Sequence, residues 1–305
     1  MIDISGGESS PLNGRGWLIG VGLALVAGVV ILGGIQKIAS MTSRLVPVMA
    51  VLYFLATSAI VLVNYQQIPK AIELIVVGGL TGEGVKGGLI GVAIIGIQRA
   101  LFSNVAGVGS AGLAHSVAKN NRPAEEGFVA AWEPFIDSVI VCTLTAFAII
   151  VTGQYQNEGA DGIILTTNAF STVHAAFPVI LSVCIVLFGF STVLSYSFYG
   201  RQAAGFLFKG NRFACRMYDV VYLLMIVVGA AVSLETVTRF SDSVFFIVVV
   251  PNLLGIYLLS GKLKEEVQGY RRLVDSGECE VVPEHERSTL LGKKKVEVSP
   301  RSTIR

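Results

Sequence analysis

Seven apolar stretches, at residues 17–35, 45–63, 88–117, 134–152, 178–200, 217–234 and 243–261, run through this chain with hardly a charge inside them. A helix rises about 1.5 Å per residue and the hydrocarbon core of a bilayer is about 30 Å thick, so roughly 20 such residues make one crossing. Composition agrees. The chain is 53 % hydrophobic and 14 % charged with a mean hydropathy of +0.69, whereas a water-soluble domain carries about 25 % charged residues. The expectation is an all-α integral membrane protein of about seven transmembrane helices. The runs lack the period-2 alternation of a β-barrel, and a helix satisfies its backbone polar groups within its own segment.

Charge divides the rest. The residues from Lys262 onward hold 10 Lys/Arg and 8 Asp/Glu, so the reading has a segment 1–16, a membrane domain 17–261 and a largely disordered tail 262–305. On alternating sides of the seven stretches the loops and tail carry 18 and 4 basic residues, with Arg99 inside a stretch. The positive-inside rule then puts the tail in the cytosol and the N-terminal segment outside, in a plasma (inner) membrane. Met1–Arg15 has no basic region followed by an apolar run, so it is no signal peptide. An outside N-terminus suggests a piece of a longer protein, to which a separately supplied N-terminal part would add. A net charge of +2 offers no case for nucleic acid. The scattered Cys142, Cys184, Cys215 and Cys279 form no CxxC, which argues against zinc and disulfides. No stretch holds a paired carboxylate or HExxH, which argues against an intramembrane enzyme.

The third stretch is the irregular one. It is too long for one straight crossing, carries Arg99, and runs Ser103-Asn104-Val105-Ala106-Gly107-Val108-Gly109-Ser110-Ala111-Gly112. Glycine costs up to about 1 kcal/mol inside a helix, and Ser and Asn compete for backbone hydrogen bonds. The reading is two half-helices joined by an unwound segment. Bare backbone at that depth is tolerated where it lines a cavity, and there its carbonyls and N–H groups suit a zwitterion such as an amino acid. Close helix packing through Gly107, Gly109 and Gly112 is the plainer alternative.

The run Gln98-Arg99-Ala100-Leu101-Phe102-Ser103-Asn104-Val105-Ala106-Gly107-Val108-Gly109-Ser110-Ala111 resembles the signature RGLFSNEAGxGSA of the sodium:alanine (alanine or glycine:cation) symporter family. Gly33-Gly34-Ile35-Gln36-Lys37-Ile38-Ala39 is similar to its GGIKRIA, and Val46-Pro47-Val48-Met49-Ala50 followed by Tyr53 to its VPxMAxxY. Asp137-Ser138-Val139-Ile140-Val141-Cys142-Thr143 followed by Thr145 is similar to its DTxxVCTxT, and Phe188-Gly189-Phe190-Ser191-Thr192 leads to Tyr199-Gly200. The resemblance implies a LeuT-type fold of inverted repeats, with the seven stretches standing for helices 4 to 10, helix 6 broken and helices 1 to 3 missing. It implies Na⁺-coupled symport of alanine or glycine. Carried over, Phe102, Ser103, Asn104, Ala106 and Gly107 would line the amino-acid site. The family's Glu after Ser-Asn is Val105 here. A truncated, non-transporting subunit or remnant of such a symporter is the alternative.

Other polar residues are weighed singly. Ser191 and Thr192 are neighbouring hydroxyls that could ligate Na⁺, a role the resemblance supports, or could bond back to their own helix. Arg99 is a gating candidate or an interfacial anchor. Asp137 and Asp219 stand near the starts of their stretches, where snorkelling or helix N-terminal placement accounts for them. His115 has no companion at metal spacing, and Asn252, after Pro251, receives no role.

Overall fold

The structure, a computed structural model, describes residues 15–81, 88–118, 120, 122–157, 162–232 and 234–277, and among these every regular element is helical. Most of the expected segment 1–16, Lys86, Lys119, Cys279 and the tail from residue 278 lie outside the described residues. In chain order come α1 (Gly16–Ile31), α2 (Ile35–Val63), α3 (Ile68–Thr81), α4 (Gly88–Asn104), α5 (Ser110–His115), α6 (Pro123–Ala130) and α7 (Trp132–Pro134). After a π-helical segment, Phe135–Cys142, follow α8 (Thr143–Val151), α9 (Gly162–Ser171), α10 (Phe177–Leu207), α11 (Arg212–Ala231) and α12 (Leu234–Asp275).

Five helical runs are long and apolar enough to cross a membrane: Ile35–Val63, Pro123–Val151, Phe177–Leu207, Arg212–Ala231 and Thr236–Asp275. The expected seven exceed this by two for physical reasons. The first stretch forms a helix of only 16 residues, and the third is split into α4 and α5. The sequence also conceals α3 and α9, short helices between the expected spans.

The long α10 is the centre of the packing, lying against α2, α11, α1 and α9. Lipid tails are as apolar as leucine, so helices associate through close packing rather than by escaping water, and small residues at the contact are favoured. Gly20 shows this. A Cβ there would stand 2.8 Å from Cβ of Ala230 and 2.9 Å from Cα of Val227, so α1 and α11 meet nearly backbone to backbone. Ala27 and Ile31 of α1, Ile38 of α2, and Phe190 and Leu194 of α10 make one buried cluster. Ala56 and Ile60 of α2, Ala148 of α8, Phe170 of α9 and Leu181 of α10 make a second. Elsewhere large apolar side chains face outward, as at Leu25, Val29, Tyr257 and Leu258.

Two expectations about charge change. Asp219 does not snorkel: it is buried between α11 and α10, with Oδ2 3.0 Å from Nη1 of Arg201. The helix α12 does not end at residue 261 either. It continues through Lys262 to Asp275, and Tyr270 meets the ring of Phe128 on α6 at a centroid distance of 5.8 Å. Lys264, Glu265, Glu266 and Gln268 are strong helix formers, so loss of apolarity there is not loss of helix.

Candidate functional site

The α-helix of the third stretch stops at Asn104 and resumes at Ser110, where the run of Gly, Ser and Asn predicts the interruption. The Asn104 side chain begins it: Oδ1 accepts a hydrogen bond from the Ala106 N–H at 2.8 Å, replacing a backbone partner that a continuing helix would supply. Val105 then turns to φ +56°, Gly107 to +85° and Gly109 to +95°. For the two glycines that conformation costs little. For a β-branched valine it is a true outlier, of the kind that costs about 1–3 kcal/mol and is held by its surroundings.

Those surroundings are polar and come from two directions. The π-helical segment supplies one set. Oδ2 of Asp137 accepts from Oγ of Ser103 at 2.5 Å, Cys142 Sγ lies 3.6 Å from the same hydroxyl, and Nδ2 of Asn104 donates to Oγ of Ser138 at 2.8 Å. Residues 137 and 142 are five apart. A π-helix aligns i with i+5, whereas an α-helix aligns i with i+3 and i+4, so the wider turn puts both side chains before one serine. Asp137 therefore faces the break from within the helical run Pro123–Val151, a contact that placement near the start of an apolar stretch does not announce.

The second set comes from α12. Nη2 of Arg99 is 2.7 Å from Oδ2 of Asp242, and Nε2 of Gln98 donates to the same oxygen at 3.1 Å. Arg99 also lies over the ring of Phe102, which meets Phe245 edge to face at 5.9 Å. Further along α12, Nδ2 of Asn252 donates to the Gly107 carbonyl at 2.7 Å. A Cβ on Gly109 would lie 2.8 Å from Oδ1 of that asparagine, so the site requires glycine for space as well as for φ.

The structure thus brings together Arg99, Phe102, Ser103, Asn104, Ala106 and Gly107 around one interruption. It does not bring Ser191 and Thr192 to it by any hydrogen bond among the described residues. Oγ of Ser191 is buried, donates to the Phe188 carbonyl of its own helix at 2.9 Å and lies 3.9 Å from Sδ of Met49, while Thr192 is exposed. The expected back-bonding of a hydroxyl is what Ser191 shows. Sequence reasoning missed Asp242 and the site contacts of Asp137 and Asn252. For the last two a signal existed, a carboxylate inside a motif and an asparagine after a mid-helix proline, but nothing in the sequence said what they would touch.

The exposed main chain at the break offers carbonyls for an ammonium group or a cation, N–H groups for a carboxylate, and a nearby anionic side chain in Asp137. No cluster of three His, Cys, Asp or Glu suited to a bound metal occurs among the described residues.

Comparison with known proteins identifies a family. The family model described as "Sodium:alanine symporter family" matches residues 6–284. An uncharacterized transporter, YflA, of Bacillus subtilis is 35 % identical over 80 % of this chain and 53 % of its own length. The probable sodium/glutamine symporter GlnT of the same organism is 33 % identical over 84 % of this chain and 54 % of its own. The sodium/alanine symporter AgcS of Methanococcus maripaludis is 34 % identical over 84 % of this chain and 57 % of its own. The chain spans about half the length of these curated relatives. A match that begins at residue 6 gives no support of its own to the expected absence of helices 1 to 3.

Proposed function

Since this chain belongs to the sodium:alanine symporter family, we propose that it serves in Na⁺-coupled symport of small neutral amino acids such as alanine or glycine across the plasma membrane by alternating access. The fold we propose is LeuT-type, with α4 and α5 as the broken helix 6 and the C-terminus in the cytosol. The observation that carries the reading is the interruption at Val105–Gly109. Within an otherwise apolar run it bares main-chain dipoles beside polar side chains, which lipid would not tolerate unless they faced a solute or water.

In this reading Phe102, Ser103, Asn104, Ala106 and Gly107 contact the amino acid, and Ser191 and Thr192 contribute hydroxyls to Na⁺. Asp137 carries the charge that the family's glutamate supplies where this chain has Val105. A zwitterion entering with a cation brings one net positive charge, and in a low-dielectric site a carboxylate beside Ser103 offsets it. Arg99, tied to Asp242, gates the outer half of the break. The energetics suffice: a tenfold Na⁺ gradient supplies about 1.4 kcal/mol and 100 mV about 2.3 kcal/mol, enough for roughly 500-fold accumulation with one Na⁺ per substrate.

The test is Na⁺-dependent binding of radiolabelled alanine by the purified chain, together with uptake into proteoliposomes. Saturable binding in NaCl that disappears in choline chloride, and that falls tenfold or more in Asp137→Asn, is the expected result. Binding indifferent to Na⁺, or untouched by changes at Ser103, Asn104 and Asp137, would refute the proposal.

A further inference from the structure

His115 is the last residue of α5, the inner half of the broken helix, and its ring lies between two carboxylates. Nδ1 is 2.7 Å from Oε1 of Glu126 on α6, and Nε2 is 3.1 Å from Oε1 of Glu133 on α7. The His115 and Glu126 side chains are about four-fifths buried, at 19 % and 23 % relative exposure, and Glu133 is open at 63 %. A neutral imidazole has one N–H and one lone pair, and an ionised carboxylate only accepts. A neutral ring between two carboxylates would therefore set lone pair against lone pair on one side. Both contacts are satisfied when the ring takes up one more proton and donates from each nitrogen.

The position of the cluster gives that proton a mechanical consequence. The six residues of α5 are too few to persist as a helix through their own hydrogen bonds, so its placement depends on what it is tied to. His115 ties its end to the beginning of the next span on two sides at once. A cavity of about 420 Å³, lined by Gly112, His115, Ser116, Asn120 and Glu126, opens beside the ring and gives water a path to it. The other charged or titratable groups on the elements packed against α5 are Glu125 on α6, with Arg122 one residue before it, and Cys184, Tyr196, Tyr199 and Arg201 on α10; the Tyr199 hydroxyl is within electrostatic reach of Glu133, and Arg201 is paired with Asp219. The ring itself meets both carboxylates directly, at 2.7 and 3.1 Å.

We infer that His115, Glu126 and Glu133 form a proton-binding site that fastens the inner half of the broken helix, and that release of its proton to water in the adjacent cavity frees α5. The site stands on this geometry alone; its meaning as a proton-sensitive inner gate rests on the transport reading above. Protonated, the ring donates from both nitrogens and holds α5 against α6 and α7. Deprotonated, it keeps one donor and turns a lone pair toward a carboxylate, and one tie becomes a repulsion.

The experiment needs no amino-acid substrate, so its failure is separate from a failure of the transport reading. The whole chain is labelled with ¹⁵N-histidine and reconstituted in lipid nanodiscs. Among its three histidines, His115, His174 and His285, the signal lost in His115→Gln is assigned to His115. The expected spectrum at pH 7 shows both His115 ring nitrogens protonated, and Glu126→Gln lowers the proton affinity of the ring at least tenfold. Hydrogen exchange over residues 110–116, corrected for intrinsic rates, is expected to rise tenfold or more as pH passes the ring's titration in the unmodified chain. In His115→Gln it is expected to be fast at all pH values. A singly protonated ring at pH 7, or exchange over 110–116 that ignores the ring's titration, overturns the inference; the unmodified chain suffices for both readings.

Discussion

At Gly20 the chain meets Val227 and Ala230 through bare backbone and a methyl group; at Gly109 it meets the side-chain amide of Asn252. The two glycines stand for two regions held together differently. The bundle of α1, α2, α8, α9, α10 and α11 has apolar contact in its two buried clusters, with the Arg201–Asp219 pair between α10 and α11 beside them. The broken helix is fixed by polar ties, from Arg99 to Asp242, Ser103 to Asp137, Asn104 to Ser138 and Gly107 to Asn252. Packing gives stability and little else. Polar ties in lipid each add only about 0.6–2 kcal/mol, yet they fix where dipoles point, and a binding site depends on that. Substitutions in the first region should therefore change unfolding and spare binding, while substitutions in the second should do the reverse.

The widest separation is expected from Phe170→Ala. Phe170 is fully buried, stacks on Tyr53 at 6.1 Å and touches Phe177. Truncation leaves a cavity and costs about 3 kcal/mol, the low end of the range for a buried aromatic because the lipid setting weakens the transfer contribution. Thermal unfolding followed through the fluorescence of Trp17 and Trp132 should move to clearly lower temperature, with Na⁺-dependent alanine affinity within about twofold of the parent below the transition. A large loss of affinity with unchanged unfolding would break the comparison. The opposite pattern is expected of Gly109→Ala. The new methyl group would stand 2.8 Å from Oδ1 of Asn252 at φ +95°. Strain of about 1–2 kcal/mol concentrated in the loop should cost roughly tenfold in binding, measured by the same radioligand assay, with little effect on unfolding.

The two regions also differ in how far the sequence discloses them. Apolar runs announce membrane helices because lipid imposes one length and one polarity on each, and the break announces itself because Gly107, Gly109, Ser103 and Asn104 oppose helix within such a run. What touches the break does not follow. Asp137 is 34 residues from Ser103, Asp242 is 143 from Arg99 and Asn252 is 145 from Gly107, and no periodicity connects residues so distant. The π-helical turn is hidden as well, because an apolar segment reads alike with four or five residues between hydrogen-bonded partners. The run from Lys262 to Asp275 escapes for another reason: charge marks the edge of the bilayer, not the end of a helix.

A smaller and sharper probe is Asn252→Ala. It removes the donor to the Gly107 carbonyl and the crowding at Gly109, leaving Pro251 and the rest of α12 in place. A single side-chain hydrogen bond is worth about 0.5–1.5 kcal/mol net, so affinity should fall about three- to tenfold with unfolding unchanged. Combined with Gly109→Ala, the two losses should be less than additive, because both act through one contact. Full additivity would mean that Asn252 and Gly109 serve the loop separately.

The smallest effect is expected where the regions join. Tyr53 on α2 belongs to the packed side, stacking on Phe170 and meeting Phe188 edge to face. Its hydroxyl lies 2.6 Å from Oγ1 of Thr145 on α8, and that hydroxyl in turn donates to the Val141 carbonyl at 2.8 Å. With the threonine proton so used, Tyr53 is the donor of the first bond, and the chain of two bonds ends in the π-helical segment that presents Asp137 and Ser138 to the break. Tyr53→Phe keeps the ring and its packing and removes the atom that makes this link. It should cost about 0.5–1 kcal/mol of stability and, through looser placement of Asp137, no more than about twofold in alanine affinity. A loss of affinity as large as that of Asn252→Ala would show that the packed bundle sets the geometry of the site through this bond, and the division into two regions would have to give way to a single coupled network.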